Sequence, residues 1–178
     1  MQLIILDRDG VINRDSDEFI KSPAEWLPIR GSMEAIARLH RAGWQVVVAT
    51  NQSGIARGLF DLDTLARIHA TMQRRVIESG GQIDAVFFCP HGPEDGCSCR
   101  KPLPGMFHDI AARLCTDLHG VPAIGDSLRD IQAAQTAGAS PILVKTGKGV
   151  GTASDPQLDP QVPVFNDLFC AVNQLLDA

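Results

Sequence analysis

Two aspartates follow the first apolar run of the chain. Asp7 and Asp9 are separated by one residue, and Gly10 comes directly after them. An ordinary turn would account for them equally well, because Asp and Gly are common turn residues. Two carboxylates this close repel each other, however, unless a cation or a shared proton relieves the repulsion. The spacing therefore favours a metal site with acid–base chemistry.

Polar side chains also follow the second apolar run. The segment Thr50-Asn51-Gln52-Ser53-Gly54 offers hydroxyl, amide and backbone N–H donors, and Arg57 lies three residues beyond it. A loop with such donors can surround an anion. An ordinary loop, with Thr50 as a cap, is the alternative.

The third apolar run is followed by three cysteines and a histidine. Cys89, His91, Cys97 and Cys99 have the spacing C-x-H-x5-C-x-C. Four such ligands can form a tetrahedron around Zn²⁺. Buried core thiols are the alternative, but this loop is rich in Pro, Gly, Glu and Asp and offers no apolar core for them. Because all four ligands come from the protein, no coordination position stays open, and we expect the zinc to be structural.

Charged residues follow the zinc loop and the fourth apolar run. Arg100 and Lys101 come directly after the last cysteine, so a bound zinc would restrict where they point. Asp126 and Asp130 lie one helical turn apart after the fourth run. Alternatively, the two cations are a solvated pair and Asp126 is a helix N-cap with Ser127 in the first turn. Capping and metal ligation are compatible, because a carboxylate has two oxygens.

Short apolar runs alternate along the chain with segments of helical periodicity. The runs predict strands buried on both faces, at Leu3–Leu6, Val46–Ala49, Ala85–Phe88, Pro122–Ile124 and Ile142–Val144. The periodic segments predict helices at Met33–Ala42, Leu62–Ser79, Met106–Leu118, Ser127–Ala137 and Leu168–Leu176. This alternation predicts an α/β fold, a three-layer Rossmann-like parallel sheet with helices on both faces.

Ligands of such folds bind beyond the C-terminal strand ends, where all the motifs above would meet. Carboxylates for a divalent cation, with Thr50 and Lys101 for an anion, describe Mg²⁺-dependent phosphoryl transfer.

Composition narrows the class of protein. With 178 residues, residues 1–178 are expected to form a single domain. The net charge of −5 argues against a generic nucleic-acid binder, and no apolar run is long enough to span a membrane. The N-terminal residues lack the basic start of a signal peptide, so we expect a cytoplasmic protein with reduced cysteines. Cys115 and Cys170 lie in helix-period segments and are expected to be buried thiols.

The four strand-end motifs, taken in order, resemble those of the haloacid dehalogenase superfamily of phosphohydrolases. Asp7-Arg8-Asp9-Gly10 matches its first motif, Thr50 its second, Lys101 its third, and Gly125-Asp126 with Asp130 its fourth. The resemblance implies that Asp7 is the nucleophile, that Asp9 is the general acid and base, and that Thr50 and Lys101 hold the phosphoryl oxygens. It also implies that Mg²⁺ binds Asp7, Asp9 through its backbone carbonyl, and Asp126, while Asp130 orients Lys101 or a metal-bound water. Between Asp9 and the second strand there is room for a flap over the substrate and one helix, but not for a cap domain.

Within the superfamily, the zinc loop resembles that of two phosphatase families, which act on heptose 1,7-bisphosphate and on histidinol phosphate. The segment Thr50–Gly58 favours the heptose family, so we expect a sugar bisphosphate as substrate and a monomeric enzyme. The family often carries His-Gly-Tyr where this chain has Ser16-Asp17-Glu18-Phe19. The expected substrate contacts are Asp15, Ser16, Asp17, Glu18, Asn51, Gln52, Ser53, Arg57 and Arg100. A histidinol-phosphate phosphatase, another small phosphomonoester phosphatase, and a non-enzymatic zinc-loop module are the alternatives.

Overall fold

The apolar runs form the strands of one parallel sheet. In the computed structural model, which describes residues 2–177, six strands pair in the order β3-β2-β1-β4-β5-β6, and every neighbouring pair is parallel. The strands are β1 Gln2–Leu6, β2 Trp44–Asn51, β3 Ala85–Cys89, β4 Pro122–Gly125, β5 Ser140–Val144 and β6 Val164–Phe165. The five predicted strands are confirmed. The sixth was not predicted, because two residues are too short to give a pattern.

Helices connect successive strands. They are α1 Ser32–Arg41, α2 Leu62–Glu78, α3 Gly105–Leu114, α4 Leu128–Thr136, α5 Gly149–Ala153 and α6 Leu168–Leu176, and a short 3-10 turn covers Pro23–Glu25. Four of the predicted helices agree to within one residue at each end. The short helix α5 was not predicted, because its two glycines are poor helix formers.

The prediction for the third helix was wrong at its C-terminal end. The helix stops at Leu114, and Cys115 takes a left-handed conformation with φ 50°. Leu118 nevertheless packs in the core, so its apolar character extended the apparent period beyond the helix. Cys115 is exposed and Cys170 only half-buried, so the expectation of two buried thiols was also wrong.

Side-chain alternation along the central strands separates two apolar layers. Ile4 and Leu6 of β1 face a layer covered by α1, α2 and α6. Leu3 and Ile5 face the opposite layer, which is covered by α3 and α4. This arrangement confirms the predicted three-layer fold. No helix within residues 2–177 has both the length and the apolar character needed to cross a bilayer.

The loops at the carboxyl edge of the sheet differ in length. The segment between β1 and α1 holds the flap and the short 3-10 turn, and within the described residues no separate domain is inserted there. The loop that carries His91, Cys97 and Cys99 lies between β3 and α3. The order of the strands places β1 between β2 and β4, so Asp7 and Asp9 leave the sheet at its centre, flanked by the other motifs.

Candidate active site

The strand-end motifs surround one cavity of about 200 Å³ at the carboxyl edge of the sheet. Most of the side chains predicted for the site line it, and four further residues do so as well. The predicted ones are Asp7, Asp9, Asp15, Ser16, Asp17, Thr50, Asn51, Gln52, Ser53, Arg57, Arg100, Lys101, Asp126 and Asp130. The others are Phe19, Ile20, Arg129 and Lys148.

A buried lysine joins three elements at the base of this cavity. The Nζ of Lys101 lies 3.0 Å from Oδ1 of Asp7 and 2.7 Å from Oδ1 of Asp130, and it donates to the Ala49 carbonyl at 2.7 Å. The Lys101 side chain is only 2% exposed. Burial acts to lower the pKa of Lys101, but the two carboxylates outweigh it and raise the pKa. Lys101 is therefore a fixed cation beside the Asp7 carboxylate.

The backbone of Lys101 is held from β2. The Asn51 side chain donates to the Lys101 carbonyl at 3.0 Å, and its Oδ1 accepts from the Lys101 amide at 3.1 Å. Thr50 is buried, and its hydroxyl oxygen accepts from the Gln52 side chain at 2.9 Å. The C-terminal end of β2, together with Gln52, thus positions Lys101 and Thr50.

The Asp9 carboxylate accepts hydrogen bonds at both oxygens. The Arg8 guanidinium donates to Oδ1 and Oδ2, Asn13 donates to Oδ1 at 2.9 Å, and Gln52 donates to Oδ2 at 2.8 Å. Burial acts to raise the pKa of Asp9, but the charge of Arg8 and these hydrogen bonds lower it overall. Asp9 is therefore held in a single orientation beside Asp7.

Asp126 occupies a space that two glycines leave for it. Its Oδ2 accepts from the Lys148 amide at 2.8 Å. A Cβ at Gly10 or at Gly147 would overlap this carboxylate, and both glycines have positive φ, 85° and 57°. Only glycine suits both requirements.

The carboxylates of this cavity fit a divalent cation. One oxygen each of Asp7, Asp126 and Asp130 lies within 4.8 Å of the others. Burial raises the pKa of Asp7 to about 7, against the attraction of Lys101. Burial and the charges of Asp7 and Asp130 raise the pKa of Asp126 to about 8. A hard cation such as Mg²⁺ prefers oxygen ligands and would relieve this repulsion.

Asp130 is engaged by the protein at both oxygens. Its Oδ1 faces Lys101, and its Oδ2 accepts from the Ser127 amide at 3.0 Å and from the Ser127 hydroxyl at 2.5 Å. Ser127, rather than Asp126, is the N-cap of α4, so the capping alternative for Asp126 was wrong. Asp7 and Asp126 are thus the carboxylates better able to ligate a metal ion.

The cysteine and histidine side chains of the loop after β3 converge on one point. The Sγ–Sγ distances are 3.2 Å for Cys89–Cys99 and 3.7 Å for Cys89–Cys97, and the Nδ1 of His91 lies 3.5 Å and 3.4 Å from Cys89 and Cys99. The edges of a tetrahedral zinc site with Zn–S of ~2.3 Å and Zn–N of ~2.0 Å measure about 3.5–3.8 Å. The cluster is therefore compatible with zinc.

Several cations line the same cavity. Arg100 donates to the His91 carbonyl at 3.3 Å, which ties it to the cysteine loop. Burial lowers the pKa of Arg100, and the nearby charges of Arg129 and Arg57 act in the same direction. Lys148 reaches Oδ2 of Asp15 at 3.3 Å. Five cations and six aspartates line the cavity, so a divalent metal ion among the carboxylates would leave it with a net positive charge suited to an anion.

Only some of the flap side chains that were expected to contact substrate line the cavity. The Phe19 ring, whose backbone has φ 65°, packs under the Arg57 guanidinium at 5.6 Å. Asp15, Ser16 and Asp17 line the cavity, whereas Glu18 is exposed and is not among the lining residues. Glu18 thus lies away from the position predicted for a substrate contact.

Comparison with known proteins places the chain in a family. A family model described as polynucleotide kinase 3 phosphatase matches residues 2–126, and one described as HAD-hydrolase-like matches residues 98–169. The D-glycero-beta-D-manno-heptose-1,7-bisphosphate 7-phosphatase of Bordetella bronchiseptica is 60% identical over 176 residues, covering 99% of this chain and 98% of that protein. The protein of the same name from Pseudomonas aeruginosa is 53% identical over 174 residues, covering 98% and 97%. The chain belongs to the heptose 1,7-bisphosphate 7-phosphatase family.

Solved structures agree with this assignment. The D,D-heptose 1,7-bisphosphate phosphatase from B. bronchiseptica, complexed with magnesium and phosphate, has a TM-score of 0.98 at 59% identity and covers 99% of each chain. The corresponding phosphatase from Burkholderia thailandensis has a TM-score of 0.80 at 44% identity over all of both chains. The chain is therefore a phosphoric monoester hydrolase of the haloacid dehalogenase superfamily, and the predicted resemblance is confirmed.

Four cavity residues were not assigned to the site from the sequence, among them Lys148, whose role the sequence left open between a solvated cation and a contribution to the positive field. Arg129 lies in the first turn of α4, between the two acidic motif residues Asp126 and Asp130. Lys148 precedes α5, which the sequence did not predict, and Phe19 and Ile20 lie in the flap. The one available signal was position, because Lys148 follows β5 at the same edge of the sheet as the other motifs.

Proposed function

We propose that this enzyme removes the 7-phosphate of D-glycero-D-manno-heptose 1,7-bisphosphate, using Mg²⁺, and so supplies the heptose 1-phosphate for nucleotide-activated heptose in lipopolysaccharide core synthesis. One observation carries the choice of a bisphosphate. The cavity that contains Asp7, Thr50 and Lys101 is also lined by Arg57, Arg100, Arg129 and Lys148. One phosphate is already matched by Thr50, Lys101 and a metal ion, so the remaining cations suit a second phosphate.

Asp7 is the nucleophile of this proposal. Its carboxylate attacks phosphorus, the bond from phosphorus to the sugar oxygen breaks, and an aspartyl-phosphate forms on Asp7. Its side chain is 12% exposed and lines the cavity, so a phosphate can reach it. Water then cleaves the aspartyl-phosphate and restores the carboxylate.

Asp9 moves the proton in both halves of the reaction. It donates a proton to the leaving sugar oxygen and later accepts one from the attacking water. Its hydrogen bonds with Arg8, Asn13 and Gln52 fix its direction before substrate arrives. Such fixed orientation contributes to catalysis because the groups need no rearrangement during the reaction.

Thr50 and Lys101 hold the transferring phosphoryl group. Lys101 donates to its oxygens as negative charge spreads over them, and the Thr50 hydroxyl adds a neutral donor. Bound Mg²⁺, held by Asp7, the Asp9 backbone carbonyl and Asp126, supplies positive charge that shields the nucleophile from the charge of the phosphate. Asp130 keeps Lys101 in place at 2.7 Å.

Zinc has a structural role in this proposal. Cys89, His91, Cys97 and Cys99 would fill all four positions of Zn²⁺ and leave none for substrate. Because Arg100 and Lys101 follow directly, the metal would fix the direction in which both enter the cavity. The hydrogen bond from Arg100 to the His91 carbonyl supports this coupling.

The sugar and its second phosphate are assigned to the loops around the cavity. Arg57 and Arg100 bind the second phosphate, for which the planar guanidinium is well suited. Arg129 and Lys148 add positive charge beside them. Sugar hydroxyls meet donors and acceptors of Asn51, Gln52 and Ser53, and of Asp15, Ser16 and Asp17 in the flap.

The second-phosphate assignment is tested by Arg100→Ala. A hydrogen bond to a charged group contributes about 1.5–3 kcal/mol, so kcat/KM for the bisphosphate should fall by about 10- to 150-fold. A small monophosphate should be affected far less. Arg75→Ala, an exposed arginine of α2, is the matched control and should leave both substrates unchanged. Equal losses on both substrates would place Arg100 at the cleaved phosphate instead.

We further propose that residues 1–178 act as one domain and as a monomer in the cytoplasm, without nucleic acid or membrane as partner. Every side chain assigned to the reaction comes from one chain. The zinc ligands must be reduced thiols, as cytoplasmic cysteines are. Light scattering should therefore give the mass of a single chain.

A further inference from the structure

A fully buried arginine lies between the catalytic pair and the helix α2. Arg8 is 0% exposed, although it lies in the motif between Asp7 and Asp9. Its Nε and NH2 groups donate to Asp9 at 2.9–3.1 Å. Its NH1 lies 3.2 Å from Nε2 of His69. The roles given to the motif above make no use of His69.

A buried guanidinium needs partners for its donors, since an unpaired buried charge is costly. The Asp9 carboxylate accepts hydrogen bonds from Nε and NH2 of Arg8, and His69 lies beside NH1. Because arginine is a donor only, Nε2 of His69 must be the acceptor, and the ring proton then lies on Nδ1. Burial and the charge of Arg8 lower the pKa of His69 to about 3, so the ring is neutral and suits this role.

His69 is itself fixed by its surroundings. It lies on α2, sixty-one residues from Arg8 along the chain, and its ring packs against Phe88 of β3 with centroids 6.1 Å apart at 58°. The chain of contacts therefore runs from a rigid helix, through a planar guanidinium, to the carboxylate of Asp9. On the far side of Asp9, Gln52 donates both to Asp9 and to Thr50.

We infer that His69 is a positioning residue, which holds the Arg8 guanidinium so that the Asp9 carboxylate is aimed at the leaving oxygen. The inference rests on the proposed function of Asp9 as the group that protonates that oxygen. Loss of the Nε2 acceptor frees NH1 and allows the guanidinium, and Asp9 with it, to rotate. Misplacement of a catalytic group by ~1 Å can cost about 100-fold in rate.

Two substrates separate this role from a general structural one. An alkyl phosphate needs a proton on its leaving oxygen, whereas nitrophenolate leaves p-nitrophenyl phosphate without one. In His69→Phe, which keeps a ring but removes the acceptor, we expect kcat for heptose 1,7-bisphosphate to fall at least about tenfold with KM unchanged. The first turnover of p-nitrophenyl phosphate, measured as the burst of nitrophenolate before water cleaves the aspartyl-phosphate, should change less than about twofold, because Asp9 acts as a base only in the second half of the reaction.

Two further variants make the test specific. His69→Gln places an amide oxygen within reach of Arg8 and should restore most of the alkyl phosphatase rate, whereas the shorter His69→Asn should not. If circular dichroism shows that His69→Phe is unfolded, the comparison of the Gln and Asn variants provides the test instead. His108→Phe, at an exposed position of α3, is the control and should behave as the wild type.

The outcomes are distinct. Equal losses in the alkyl phosphatase rate and in the nitrophenolate burst, an alkyl rate in His69→Phe within twofold of the wild type, or identical alkyl rates for the Gln and Asn variants would overturn the inference. If the wild type itself fails on heptose 1,7-bisphosphate, the proposed substrate is wrong. The variants are then compared on the alkyl phosphate that the wild type hydrolyses fastest, and the same fold-changes relative to the wild type test the role of His69.

Discussion

Replacing Lys101 with methionine removes the buried cation on which two carboxylates depend. Methionine keeps most of the volume of the side chain but leaves Asp7 and Asp130, formerly 3.0 Å and 2.7 Å from Nζ, without their partner. Removing one partner of a buried ion pair costs about 3–5 kcal/mol. Asp7 is slightly exposed and its pKa is already raised, so it can accept a proton, and we expect the lower end of that range.

The loss should appear both in stability and in rate. For a domain of this size about 3 kcal/mol corresponds to a fall in Tm of about 6–12 °C. Loss of a donor to the transferring group should lower kcat by about 10²–10³. Calorimetry or circular dichroism gives Tm, and phosphate release gives kcat.

An exposed lysine provides the matched control for stability. Lys21 pairs with Glu25 at 3.2 Å, but both side chains are more than one third exposed. Such pairs contribute about 0–1 kcal/mol, so Lys21→Met should lower Tm by less than about 4 °C. If Lys101→Met loses no more stability than Lys21→Met, or retains kcat within tenfold of the wild type, the reasoning about Lys101 is refuted.

Two other predictions concern the nucleophile and the zinc loop. Asp7→Asn should abolish turnover, because an amide does not attack phosphorus. Asp9→Asn should turn over very slowly but still form some phosphoenzyme, which mass spectrometry of the intact protein would detect. Near-wild-type turnover in folded Asp7→Asn would contradict the mechanism. Removal of zinc should disorder residues 89–101 and lower activity while the sheet persists, because the buried apolar residues of the core other than Cys89 lie outside this loop. Circular dichroism and metal analysis check this, and protein purified without chelators that contains no zinc would contradict it.

The architecture was predictable because its signals are local. The apolar runs of β1, β2, β4 and β5 are largely buried, so each is apolar throughout and needs no partner to be recognised. The run of β3 was recognised for the same apolar character, but the prediction that it is buried on both faces was wrong, because β3 lies at the edge of the sheet and Phe88 is exposed. The cluster of three cysteines and one histidine was predictable for a similar reason, since Cys89 to Cys99 lie within one loop. The end of α3 was not, because Leu118 keeps the apolar period while packing from a loop.

The parts of the site that depend on distant contacts were not predictable. Lys148 reaches the cavity because its amide meets Asp126, twenty-two residues away in the chain. Nothing in the sequence marks His69 within the predicted helix, and only the folded structure brings it to Arg8. Glu18, by contrast, was assigned from its position in the flap, and flap loops do not fix which way each side chain turns.

The comparison of kcat/KM for heptose 1,7-bisphosphate and histidinol phosphate tests the central claim most directly. Phosphate release gives the rates for both anomers of the bisphosphate, and phosphorus NMR of the product identifies which phosphate stays on the sugar. We expect the bisphosphate to be the better substrate and the phosphate on C1 to remain. A higher kcat/KM for histidinol phosphate than for either anomer, or loss of the C1 phosphate, would contradict the account.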